Sequence, residues 1–266
     1  ELHARKRGRV MAITARLRGP LIGLRRPVLT MLALAVLWEG IARGFDVPAS
    51  FFPPLSVVLA DAWSVFPYLM RSVGRTFVET TLGFVTGSLF GIFCGVIFAY
   101  SRGLERALFP LFVVSQTIPV IAFGALIIIW FGNTILAKVI IAFYLTFFPV
   151  TVNTHRGLLA CDPQKVSLMK SFGASEWTIF TRLRFPSALP VIAVALRLGI
   201  SLSLIGAIVG EWFGDTVGLG VMLIQAMYTE AVPRLWALIL ACGLLGSALY
   251  AVVAFFERRF IWWRQD

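Results

Sequence analysis

The sequence predicts an all-α integral membrane protein with six transmembrane helices. Its 266 residues are 59% hydrophobic and 14% charged, with a mean hydropathy of +0.87; a soluble domain is about half apolar and about a quarter charged. Six apolar stretches have about the length, roughly 20 residues, that a spanning helix needs. Because backbone groups in lipid must bond within their own segment, and the alternation of barrel strands is missing, these stretches are predicted as helices.

The six predicted spans cover residues 27–45, 76–100, 107–131, 135–154, 188–211 and 235–256. The second holds one charge, Glu79, the fourth holds Lys138, and the third and sixth hold none. Together they form a predicted transmembrane domain, 27–256, between a basic N-terminal segment (1–26) and a short tail (257–266). The first span is interpreted as a retained helix, since the basic region before it is long for a signal peptide.

The basic residues are distributed unevenly along the chain. With six spans, eighteen of the twenty-four Lys and Arg residues fall on the side of the termini, eight of them in the first 26 residues. This positive-inside bias predicts that both termini are cytoplasmic. The net charge of +11 is therefore interpreted as orienting the chain and favouring anionic lipid headgroups rather than nucleic acid.

Two connecting segments and one glycine pattern complete the helix prediction. A short helix on the outer membrane surface is predicted within 45–71, and an outer turn with a second short helix within 214–234. Four glycines of the second span recur every fourth residue: Gly83, Gly87, Gly91 and Gly95. They share one helix face, and packing within the chain is favoured over a dimer seam.

The third span contains a polar stretch next to a proline. Ser115, Gln116 and Thr117 lie just before Pro119, which should kink the helix and free a backbone carbonyl. Such groups either line a pathway or join helices, and the sequence favours neither. Arg197 and Glu211 in the fifth span are further pathway candidates, although anchoring of the helix ends is slightly favoured for both.

The residues that enzymes use are missing from recognisable patterns. The chain has two histidines, and no HExxH, GxSxG or Walker A run occurs. Cys94, Cys161 and Cys242 have no metal-ligand spacing and are interpreted as reduced packing residues. Catalysis by this chain, a bound metal and a bound cofactor are not expected.

Residues 162–186 predict a hairpin of two amphipathic helices on the cytoplasmic side. Asp162 and Pro163 form a helix start, Gly173 supplies a left-handed bend, Ser175 caps a second helix and Pro186 is expected to end it. The predicted apolar face contains Val166, Leu168, Met169, Phe172, Trp177, Phe180 and Leu183. Either the membrane surface or a groove on another protein would cover it, and the fixed bend favours a protein.

The hairpin resembles the cytoplasmic signature of ABC importer permeases, in which a Gly is followed by nine residues and Ile-x-Leu-Pro. Here the signature is Gly173, nine residues, then Leu183-x-Phe185-Pro186. The runs at 118–132, 147–149, 196–214 and 218–220 resemble the branch that handles sulfonates, taurine and nitrate. The resemblance implies a type I ABC importer arrangement with the coupling hairpin between spans four and five. It also implies that twelve residues of the hairpin dock on the ATPase: Val166, Ser167, Leu168, Met169, Lys170, Phe172, Gly173, Ala174, Trp177, Phe180, Leu183 and Pro186.

The resemblance also implies an assembly. A second permease copy, two cytoplasmic ATPase subunits and an extracytoplasmic binding protein would work together in a bacterial inner membrane, with ATP and Mg²⁺ on the ATPases. One departure concerns the start of the signature, where the family has Glu-Ala-Ala and this chain has Ser167, Leu168 and Met169. Docking is therefore expected to depend more on burial than on charge. The alternative is a self-sufficient secondary transporter or channel, although no internal repeat is visible.

Overall fold

The computed structural model describes residues 29–45, 48–261 and 263, which form helices joined by turns and loops, with no β-strand among them. The predicted basic segment 1–26 and residues 262 and 264–266 of the predicted tail lie outside the described residues. The helices are α1 (29–44), α2 (Leu55–Ser64), α3 (Phe66–Tyr100), α4 (Arg102–Thr117), α5 (Val120–Phe131), α6 (Ile135–Leu159), α7 (Pro163–Ser171), α8 (Glu176–Ile179), α9 (Phe185–Glu211), α10 (Leu219–Tyr228) and α11 (Val232–Phe260).

The described residues divide into two compact units, and the first comprises those within Glu1–Ser64 together with Glu230–Ala237. Three aromatic rings meet in it: Trp38 lies 4.9 Å from Trp236 and 5.3 Å from Phe52, between ring centroids. Arg234 donates two hydrogen bonds, of 2.5 and 2.9 Å, to the Asp61 carboxylate. These contacts hold α1, α2 and the start of α11 together.

The second unit comprises Val65–Thr229 with Leu238–Asp266, and its centre is α6 packed between α3 and α9. The glycine face of α3 lies against α6. A Cβ added at Gly91 would be 2.6 Å from the carbonyl oxygen of Phe147, and one at Gly95 would be 2.8 Å from that of Thr151. The prediction that this face packs within the chain is confirmed.

The spans are confirmed only in part. Among the described residues, four helices are long and apolar enough to cross a membrane: Phe66–Tyr100, Ile135–Leu159, Glu176–Glu211 and Val232–Phe260. The third predicted span is divided into α4 and α5, which meet at 99° and bring the total to five if counted as one broken span. The first predicted span lies partly outside the described residues, so the six-helix count remains a prediction.

The prediction that Pro186 ends the hairpin helix is wrong. A π-helical turn over Phe180–Arg184 joins α8 to α9, and Pro186 lies in the first turn of α9. A proline removes one backbone donor and crowds the preceding turn. The wider π turn, in which the backbone N–H of Phe185 donates to the carbonyl of Phe180, accommodates this, so the helix continues for 36 residues from Glu176 to Glu211.

Candidate coupling hairpin and translocation pathway

The first helix of the hairpin begins and ends at the predicted residues. The Asp162 carboxylate accepts a hydrogen bond from the backbone N–H of Gln164 at 2.8 Å, and Pro163 occupies the first turn. Gly173 has φ +76°, and its N–H donates to the carbonyl of Lys170. A left-handed glycine with such bonds is a common helix C-terminus. The predicted sharp bend is therefore present.

The second helix is fixed to the first across the bend. The Ser175 hydroxyl caps α8 by accepting from the N–H of Thr178 at 3.2 Å. The Lys170 ammonium and the Glu176 carboxylate form an ion pair of 2.6 Å. Lys170, the charge nearest the altered start of the signature, is therefore paired within the hairpin.

The apolar residues of the hairpin divide into an exposed and a packed set. Phe172, Trp177 and Leu168 are 82%, 71% and 58% exposed. Phe180 instead packs on α3, with its ring 5.8 Å from that of Tyr100. Val166, Met169, Ala174, Leu183 and Pro186 are half-buried, and Ser167 is exposed. The structure thus brings one aromatic residue from each side of the bend to a surface that nothing in the described chain covers.

The polar stretch before Pro119 lies where α4 ends and α5 begins. Ser115 and Thr117 donate their hydroxyls back to carbonyls of α4, those of Phe112 and Val114. Because Pro119 has no N–H, the carbonyl of Ser115 lacks its usual helical partner. The hydroxyl of Tyr144 in α6 donates to that carbonyl. The kink predicted at Pro119 is present as a 99° break between α4 and α5, which is much sharper than a kink.

Gln116 lies at this break with an amide nitrogen that has no hydrogen-bond partner among the described residues. It is partly exposed, but its amide nitrogen is buried and forms no hydrogen bond. Thr117 and Pro119 are exposed. The break therefore gathers four of the six pathway candidates.

The remaining two candidates have partners elsewhere. Arg197 pairs with Glu257 at 2.9 Å, and its guanidinium lies 5.9 Å from the ring centroid of Tyr250. Glu211 is fully buried and is hydrogen-bonded at 2.6 Å both to the Thr76 hydroxyl and to the N–H of Gly220. Both residues join α9 to neighbouring elements.

Glu211 belongs to a buried charge network that the sequence analysis missed, formed by Arg75, Glu79, Lys138, Glu211 and Asp215. Arg75 pairs with Glu79 at 2.6 Å, and Lys138 pairs with Asp215 at 2.9 Å. Glu79, Lys138 and Glu211 are fully buried. The isolated charges Glu79 and Lys138 in otherwise apolar spans were the available signal, because intramembrane charges usually pair with one another.

Glycines let the loop after α9 reach this network. A Cβ at Gly218 would collide with the Glu211 carboxyl group, and one at Gly220 would lie 2.9 Å from Cβ of Glu211. Burial of Asp215 in this loop raises the pKa of its carboxyl group. Hydrogen bonds from Lys138 and from the N–H of Thr216, together with the charges of Lys138 and Arg75, outweigh burial, so the pKa of Asp215 is lowered. The loop is thus held by charge as well as by hydrogen bonds.

Known proteins connect this architecture to a family. Residues 87–262 match the model of the binding-protein-dependent transport system inner membrane component. This chain belongs to that family. Among the described residues, no three His, Cys, Asp or Glu side chains are grouped so that they could hold a metal ion.

Curated relatives of this permease cover nearly the whole chain. A probable ABC transporter permease of Haemophilus influenzae is 32% identical over 91% of this chain and 98% of its own length. The formylaminopyrimidine transport permease ThiX of Halalkalibacterium halodurans is 35% identical over 90% of this chain and 96% of its own. A putative aliphatic sulfonates transport permease, SsuC of Bacillus subtilis, is 26% identical over 92% and 89%. The resemblance to ABC importer permeases of the sulfonate branch is confirmed.

Solved structures share the fold. A chain from the crystal structure of an amino acid ABC transporter with histidines has a TM-score of 0.63 at 18% identity, covering 76% of this chain and 98% of its own. A chain of the inward-facing MetNI methionine ABC transporter has a TM-score of 0.57 at 19% identity, covering 76% and 96%. The permease therefore has the fold of type I ABC importer permeases.

Proposed function

We propose that this chain is the permease subunit of an ATP-driven importer and is coupled to cytoplasmic ATPases through the 162–186 hairpin. The proposal is supported above all by the continuity of the hairpin with a span. The helix from Glu176 runs unbroken to Glu211, so a displacement of Trp177 is transmitted along α9. Since α9 packs against α6 and α3, the displacement reaches the centre of the bundle.

Burial rather than charge supplies the affinity of this docking surface. Burying a side chain such as Phe172, now 82% exposed, contributes about 1.5–3 kcal/mol. An exposed ion pair contributes about 0–1 kcal/mol, and Lys170 already has Glu176 as its partner. The cleft that receives the hairpin on the ATPase is therefore proposed to be apolar where it contacts Ser167, Leu168 and Met169.

The assembly consists of two copies of this permease, two ATPase subunits that bind ATP and Mg²⁺, and a binding protein that delivers the solute. Both termini lie in the cytoplasm of a bacterial cell, and the spans cross the inner membrane. Closure of the ATPases moves the hairpins and switches the bundle between inward-open and outward-open states, which is coupling of two sites through one two-state element. This chain itself hydrolyses nothing.

The broken helix is the proposed pathway element. Non-helical backbone at membrane depth is tolerated where it is buried in protein or lines a water-filled cavity, and the residues around Thr117 and Pro119 are exposed. Arg197 and Glu211 contribute by anchoring α9. Replacement of Ser115, Gln116 and Thr117 together by alanine is expected to change uptake while leaving assembly with the ATPase intact; unchanged uptake would refute the pathway role.

Reconstitution tests the importer function. The permease, its genomically adjacent ATPase and binding protein are incorporated into vesicles, and uptake is measured for ligands identified on that binding protein, starting with formylaminopyrimidines and aliphatic sulfonates, which the relatives ThiX and SsuC transport by name. Uptake should require ATP and all components. Uptake by the permease alone, without nucleotide, would instead support a self-sufficient secondary transporter or channel.

A further inference from the structure

The buried charge network contains an odd number of charges. Three carboxyl groups, those of Glu79, Glu211 and Asp215, share it with two cations, Arg75 and Lys138. If every group were ionised, one negative charge would remain uncompensated. An unpaired charge in a buried site is among the most costly arrangements in a protein.

The uncompensated negative charge falls on the carboxyl pair, Glu79 and Glu211. Both side chains are fully buried, and each carboxyl group interacts with the other. Arg75 donates to Oε1 of Glu79, but Oε2 of Glu79 is buried and has no donor. Two ionised carboxyl groups cannot hydrogen-bond to each other, because each is only an acceptor.

The contacts of Thr76 point the same way. Its single hydroxyl lies 3.0 Å from the carbonyl oxygen of Ser72 and 2.6 Å from Oε1 of Glu211, and it accepts from the N–H of Leu219 at 3.0 Å. A hydroxyl has one hydrogen to donate. A proton on Oε1 of Glu211 supplies the missing donor, so that Thr76 can donate to Ser72 and accept from Glu211.

We propose that Glu79 and Glu211 form a proton-binding site that holds one shared proton at neutral pH. The proton neutralises the network and lets Glu211 hold the 212–218 loop and the start of α10 against α3. Among the described residues, the charged and titratable groups that face the pair are Arg75 of α3, Lys138 of α6, Asp215 of the loop and Cys242 of α11. From α10 the backbone N–H of Gly220 donates to Glu211.

Infrared spectroscopy of the purified full-length permease in detergent at pH 7 detects the proton, since a protonated carboxyl group has a C=O stretching band that a carboxylate lacks. Replacement of either member, Glu79→Gln or Glu211→Gln, should remove one such band, because the remaining carboxylate is then balanced without a proton. Glu230→Gln, at an exposed position outside the network, is the matched control and should leave the band. A band that survives both single replacements would overturn the proposal.

Thermal unfolding provides the second readout. Each single Gln replacement mimics the neutral partner, so its unfolding midpoint should remain within about 2 °C of the parent. The double replacement leaves two cations with one carboxylate and should lower the midpoint by at least about 6 °C. Single replacements that are as damaging as the double one would show that both groups are ionised, and would refute the shared proton.

Discussion

The hydroxyl of Tyr144 in α6 donates a hydrogen bond to the carbonyl oxygen of Ser115 in α4. Pro119, four residues later, cannot supply that carbonyl with the usual α-helical N–H, and the N–H of Ile118 reaches it at 3.3 Å instead. The Tyr144 ring also stacks on Phe123 of α5, with centroids 4.0 Å apart. A single side chain of α6 thus contacts the helices on both sides of the break.

Tyr144→Phe should therefore destabilise the break between α4 and α5 without creating a cavity. The ring and its stacking are retained, while the Ser115 carbonyl loses one of its two donors and keeps the N–H of Ile118 at 3.3 Å. The expected cost is that of one hydrogen bond, about 0.5–1.5 kcal/mol. We expect a lower midpoint of thermal unfolding in detergent. Tyr228→Phe is the control, since Tyr228 is 78% exposed; equal effects of the two replacements would contradict the role of the hydroxyl.

The glycine face of α3 predicts a second stability effect. A Cβ at Gly91 would lie 2.6 Å from the Phe147 carbonyl oxygen, so Gly91→Ala must push α3 away from α6, typically at about 1–3 kcal/mol. Gly74→Ala in the same helix meets nothing within 4 Å and should be neutral or slightly stabilising. Comparison of their unfolding midpoints tests the packing; a harmless Gly91→Ala would show that the helices separate easily.

The helix start, bend and cap of the hairpin were predictable because they depend on neighbouring residues, whereas the charge network was missed because it depends on contacts between residues distant in sequence. Asp162, Gly173 and Ser175 act within a few residues of themselves, so their effects can be recognised from spacing alone. Thr76 and Glu211 are 135 residues apart in sequence, and nothing local indicates that they meet. The prediction at Pro186 was wrong because a π turn accommodates the missing N–H and the bulk of the proline ring, which usually end a helix.

Phe172→Asp should weaken recovery of the ATPase with the affinity-purified permease. The replacement puts a charge on the most exposed apolar residue of the hairpin and removes about 1.5–3 kcal/mol of burial on docking, roughly ten-fold or more in affinity. Phe51→Asp, at a residue 80% exposed outside the hairpin, is the control. Undiminished recovery of the ATPase with Phe172→Asp would argue against this docking surface.

Asp215 predicts a pH-dependent contribution to stability. Its folded-state pKa lies below the ordinary value of 3.8, so its stabilisation is complete above that value and is lost as the pH falls through the folded pKa. Asp215→Asn should lower the unfolding midpoint at pH 7, and the gap from the parent should narrow below about pH 3.8. The exposed Glu230→Gln variant should show no such gap. A gap that is constant with pH would mean that charge is not what holds the loop.

Gly173→Val should leave the permease inserted in the membrane and abolish most of its ATP-driven uptake. Nothing lies within 4 Å of a Cβ at this position, so the side chain causes no collision. The penalty arises because φ is +76°, a conformation that costs a β-branched residue about 1–3 kcal/mol. Asn tolerates left-handed backbone, and Gly173→Asn should therefore retain most uptake. Uptake is compared at equal amounts of membrane-inserted protein. If the Val and Asn variants transport equally well, the bend is not what positions Phe172 and Trp177 for the ATPase.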